Sequence, residues 1–96
     1  MEEKRRYPRK KAEHLVFYFS MSELKEGLAR SLNVSKAGVL LEMAEKLEPS
    51  AHIDLSISIG EDSIPLRGKV VWVKKEGGLY LVGVALEDLE LPVETL

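Results

Sequence analysis

Apolar and polar side chains alternate along much of this chain with a period of two. The clearest case is "IDLSISI" (53–59), with Ile53, Leu55, Ile57 and Ile59 on one side and Asp54, Ser56 and Ser58 on the other. That period predicts a half-buried antiparallel strand. Gly60-Glu61-Asp62 follows as turn chemistry. Through "IPLRGKVVWVKK", Ile64, Leu66, Val70 and Trp72 share a face with Gly68, and a glycine inside a long strand marks a bend or bulge. Gly77-Gly78 makes a tight connection into "LYLVGVAL" (79–86), the next strand.

The first half also reads as mostly extended. "HLVFYFS" (14–20) is aromatic-rich and strand-like, and "AGVLLEM" (37–43) is another short strand. "LKEGLARSL" (24–32) is ambiguous, because Leu24, Leu28 and Leu32 fit a helical stripe as well as period two. Gly27 weakens the helix, so a strand is expected. "AEKLEPS" (44–50) reads as a loop. Six short strands predict an all-β fold, a small six-stranded antiparallel β-barrel whose closure removes exposed edges. The tail "EDLELPVETL" reads as a short C-terminal helix over one barrel end or as a frayed end, and Pro92 stops any longer helix.

Length and charge refine this picture. The 96 residues suffice for one domain, divided as a flexible basic arm (1–11), a barrel (12–88) and a tail (89–96). The arm holds Lys4, Arg5, Arg6, Arg9, Lys10 and Lys11 against Glu2 and Glu3, a net +4. The rest of a chain whose total is −2 therefore carries −6. Positive charge focused in this way suits a small anion better than a polynucleotide, which the acidic body would repel. No apolar run approaches the roughly 20 residues of a membrane-spanning helix, and no secretory signal pattern is present, so no membrane insertion and a cytoplasmic location are expected. Cysteine is absent, the two histidines lack partners at metal-ligand spacing, and the carboxylates are scattered. Neither an enzyme nor a metal cofactor is expected.

Two segments carry candidate chemistry. Arg5-Arg6-Tyr7-Pro8-Arg9 offers forked donors that match phosphates and the O6/N7 edge of guanine, and Pro8 stiffens the segment. "NVSKAG" (33–38) lies between two predicted strands. In it Asn33 supplies a donor and an acceptor, Ser35 a hydroxyl, and Gly38 a place for close approach by ligand or backbone. Taken alone, each also reads as a solvated basic terminus and a polar turn.

Together, and in this order ahead of alternating strands, the Arg-x-x-x-Arg and Asn-x-Ser-x-x-Gly segments resemble the PilZ domain family over about residues 3–88. "KVVWV" and "YLVGVAL" resemble the family's later strands. The resemblance implies a receptor for the second messenger cyclic di-GMP. Arg5 and Arg9 would grip phosphates and guanine edges, Asn33 and Ser35 would bond a guanine's polar edge, and Gly38 would admit the ligand. Lys4 and Arg6 are secondary candidates. Trp72 is another, although its place on an apolar strand face favours core packing. Ligand binding would order the arm and so create or mask a surface for an unidentified effector protein. In the alternative reading the barrel contacts proteins only, without nucleotide. A third, a single-stranded nucleic-acid barrel, is disfavoured by the acidic body. One departure stands out: the family often has a glycine just before the strand that here begins near Ala51, where this chain has Ser50.

Overall fold

Period two becomes six strands in the computed structural model, which describes residues 14–35 and 37–87. They are β1 (Leu15–Ser20), β2 (Lys25–Val34), β3 (Gly38–Met43), β4 (His52–Ile59), β5 (Asp62–Glu76) and β6 (Leu79–Leu86). All neighbours are antiparallel, and the sheet closes as a barrel in the order β1-β2-β3-β6-β5-β4. Every strand thus has two partners, so no edge is left to template association. The described residues contain no helix, and none is long and apolar enough to cross a membrane. The tail expected as a helix and the arm both lie outside the described residues.

Alternation places one set of side chains inside. Val16, Tyr18, Leu41, Met43, Ile53, Ile57, Val70 and Val82 are essentially inaccessible, each contributing about 1.5–3 kcal/mol by leaving water if aliphatic. The 44–51 connection is a loop, as expected, and it sends the fully buried Leu47 into the barrel. β2 is a strand despite Gly27. That glycine faces Tyr18 across the β1–β2 pair, and a Cβ there would lie 3.0 Å from the Tyr18 hydroxyl. Gly27 therefore makes room for the tyrosine ring inside the barrel.

Two bulges interrupt the alternation. The β2–β3 register shifts between Ser31 and Asn33, and the β5–β6 register shifts between Val70 and Trp72. Each bulge adds one residue to one strand, so every later side chain changes face. Ala29 and Ser31 point inward, but after the bulge Val34 does so and Asn33 turns outward. Likewise Val70 is buried, whereas Trp72 lies outside at 44% exposure. The expectation that Trp72 packs in the core is therefore corrected. Extrapolating period two through Val71 assigned it the wrong face.

Candidate ligand site

The two bulges put Asn33 and Trp72 on the same outer wall. Asn33 pairs with Leu40, Leu40 with Gly83, and Gly83 with Trp72. These four residues form one row across β2, β3, β6 and β5, roughly 14 Å from end to end at the usual strand spacing. The Trp72 ring lies over Gly83, where an added Cβ would collide with the indole nitrogen. Gly83 thus acts as a shelf that leaves room for the ring. A second row, Gly38–Ala85–Lys69, runs alongside and adds small side chains and an exposed ammonium. Between the rows is an open cleft of about 170 Å³, lined in part by Ala37, Gly38, Leu40, Trp72, Gly83 and Ala85. Pockets that enclose a whole ligand run to roughly 300–1,000 Å³, so this cleft accommodates one planar ring and not a dinucleotide.

The β2–β3 turn closes one end of the cleft. Ser35 N–H donates to the Gly38 carbonyl at 2.9 Å, and Ala37 N–H donates to Ser35 Oγ at 3.3 Å. The Ser35 side chain thus bridges its own turn, as serine commonly does at such positions, and it is only 3% exposed. Gly38 is held by a different constraint. A Cβ at Gly38 would lie 2.6 Å from the Val84 carbonyl oxygen on β6. Both residues therefore have structural roles that exist without any ligand. Asn33 is half-buried on the outer face.

The first and last described strands are tied down near this turn. His14 accepts a 2.9 Å bond from Ser31 N–H, and its own N–H donates to Ser31 Oγ. That pins the start of the barrel two residues from Asn33. At the other end, Leu86 N–H donates to the Ala37 carbonyl. Arg5, Arg9, Lys4 and Arg6 lie outside the described residues. Of the predicted site residues within them, Asn33, Ser35, Gly38 and Trp72 all border this one region. The shelf residues Leu40, Gly83 and Ala85, and Lys69 at its margin, went unrecognised in the sequence. The available signal was Gly83 itself, since a glycine in a strand interior marks close approach by a ligand or another group. Among the described residues, no group of three or more His, Asp or Glu could hold a metal ion.

A family model described as "PilZ domain" matches residues 3–96. No curated relative matches the chain by sequence. Among solved structures, the chain is similar to the Bacillus subtilis inhibitor of motility MotI/DgrA, with 16% identity and a TM-score of 0.72 over 92% of this chain and 44% of that one. It is similar to K. pneumonia MrkH in complex with c-di-GMP, with 16% identity and a TM-score of 0.70 over 90% and 44%. It is also similar to the PilZ domain of YcgR from Escherichia coli with c-di-GMP, with 11% identity and a TM-score of 0.71 over 97% and 83%. The chain therefore spans less than half the length of MotI/DgrA and MrkH.

Proposed function

The chain belongs to the PilZ domain family, and on that premise we propose that it is a receptor domain for cyclic di-GMP. The observation that carries the reading is the outer-face row Asn33–Leu40–Gly83–Trp72, which begins two residues from Ser31, the residue bonded to His14 at the start of the described chain. Arg9 lies five positions before His14, a reach of up to about 17 Å, so the arm can fold back over the row. In the proposed complex Arg5 and Arg9 hold the phosphates and the O6/N7 edge of a guanine in forked, charge-assisted bonds. Asn33 bonds a guanine edge from the barrel side. Ser35 and Gly38 act chiefly by fixing the shape of the turn and its seat on β6. One base lies in the cleft against Trp72. Lys69 adds positive charge at its margin, and Lys4 and Arg6 add charge along the arm.

Magnitudes are consistent with a useful affinity. Each hydrogen bond to a charged group contributes about 1.5–3 kcal/mol net, and a stacked base about 1–3 kcal/mol. Five or six such contacts, as two forked arginines, Asn33 and one stacked base would supply, offset an ordering cost of roughly 2–5 kcal/mol for the arm and reach the roughly −8 kcal/mol of a micromolar complex. The ligand's two phosphates cancel the arm's self-repulsion, so binding orders the arm against one wall. We propose that this order transition is what an effector protein reads.

One observation favours the second reading, a barrel that contacts proteins only: Ser35 and Gly38 are already accounted for by the turn and by strand packing. Titration calorimetry separates the two. The receptor reading expects micromolar binding of cyclic di-GMP, loss of most of it in Arg9→Ala and a clear weakening in Asn33→Ala. Absence of binding by the wild-type chain at low salt removes it.

A further inference from the structure

Across the ring from the β6 and β5 part of the candidate ligand wall, the barrel exposes apolar side chains that no described segment covers. β1 and β6 face each other across the six-stranded ring. On the outer surface of β1 and β2, Leu15, Phe17 and Leu28 are exposed, and the connecting turn adds Met21 and Leu24. Phe17 and Leu28 are direct partners at the centre of the hairpin. Leu24 adopts φ +54° at 80% exposure. A leucine takes up that conformation only at a cost, and the barrel gives its side chain no contact in return. At exposures of 46–80%, the five side chains present roughly 500 Å² of surface, near the upper end of what a monomer leaves bare.

We infer that this hairpin face is a self-association surface whose occupant is a second copy of the chain. Charge placement selects that occupant. Phe17–Leu28 is the middle row of the face. One row toward the turn stands Phe19–Glu26, and one row the other way stands Leu15–Arg30. A two-fold axis in the interface plane, perpendicular to the strands and through the middle row, reverses the strand direction. It lays Phe17 on Phe17 and Leu28 on Leu28, brings Phe19 over Leu15, and sets Glu26 of each copy against Arg30 of the other. Glu26 is exposed and makes no ion pair with another described residue. Arg30 is about half exposed and held by Glu42, so its outer edge is pre-oriented for a second carboxylate. Of the other charges around the face, Asp54 pairs with Arg67, and Lys25 with Glu23 in the turn.

Area agrees with this assignment. Roughly 500 Å² of apolar surface per copy, with the charged rim added, falls within the roughly 600–1,000 Å² each partner contributes to a stable interface. Because the barrel is closed, the copies meet face to face through side chains and not by strand pairing. Both ligand walls then face outward.

Sedimentation equilibrium of the full chain without nucleotide tests this from low micromolar to roughly 0.3 mM, so the outcome is independent of the receptor reading. The expected result is a rise from 10.8 kDa to twice that mass, with the midpoint in the micromolar range. Phe17→Glu and, separately, Leu28→Lys weaken association at least tenfold while retaining a cooperative thermal transition. Glu26→Arg weakens it severalfold, whereas Glu76→Arg, at the end of β5 across the ring from β2, does not. A wild-type chain that stays monomeric throughout assigns the face to another occupant and overturns the inference. So does a dimer that survives both Phe17→Glu and Leu28→Lys.

Discussion

Replacing Gly38 by alanine separates what the motif glycine does for the barrel from what it does for a ligand. The new Cβ would sit 2.6 Å from the Val84 carbonyl oxygen, whereas ordinary contact begins near 3.4 Å. The obstructing atom belongs to backbone already committed to the β3–β6 ladder, so it cannot swing aside as a side-chain tip could. The strands must separate by several tenths of an ångström at the Gly38–Ala85 pair, next to the bond from Leu86 N–H to the Ala37 carbonyl. Forced overpacking of this kind costs about 1–3 kcal/mol. For a domain of this size, 2 kcal/mol lowers the melting midpoint by about 8–16 °C. Gly78→Ala is the matched control. Nothing lies within 4 Å of its added Cβ and its φ is not positive, so it is neutral or stabilising by about 0.5 kcal/mol. Urea unfolding of both variants measures the difference directly. A Gly38→Ala chain as stable as wild type would refute the packing argument and leave ligand access as the glycine's main role.

Other outcomes follow from the same geometry. Trp72 is the sole tryptophan, so its fluorescence should respond to cyclic di-GMP, and Trp72→Ala should weaken binding about 5–150-fold, the equivalent of 1–3 kcal/mol of stacking. Ser50 sits at φ +77°, the left-handed region where glycine is at ease, so Ser50→Gly should stabilise the barrel by about 0.5–1 kcal/mol in urea unfolding. Burial, and then the nearby Glu45 carboxylate, raise the Tyr18 phenol above its ordinary 10.0. The neutral form is favoured in the folded state, so this contribution is intact below about pH 10 and is lost as pH rises through the raised native value. Thermal melts should show a stability loss above about pH 10 that Tyr18→Phe reduces.

The strands were legible because inside and outside positions alternate so regularly in "IDLSISI", and because Gly60 and Gly77 mark the turns that follow β4 and β5, both at positive φ. β2 was harder. Leu24, Leu28 and Leu32 fit two periods, and only the contact between Gly27 and Tyr18 explains why glycine suits a strand there. The site was legible as a list of motif positions but not as a surface. Which wall a residue faces depends on the extra residues Leu32 and Val71, and each shifts the phase of the alternation for the residues after it, so period two carried through them assigns the wrong wall. That is why Trp72 was assigned to the core. The same limit hid the shelf, since Gly83 gains meaning only when β5 lays an indole over it. The Ser50 departure, by contrast, was visible in the sequence, and the backbone supplies its reason.

The most direct test of the account is an amide chemical-shift titration of the full chain with cyclic di-GMP. The account predicts saturable shifts at residues 5–7 and 9, at Asn33 through Gly38, and at Trp72 and Gly83, with Phe17 and Leu28 unmoved. No shifts at millimolar ligand, or shifts confined to the β1–β2 face, would contradict it.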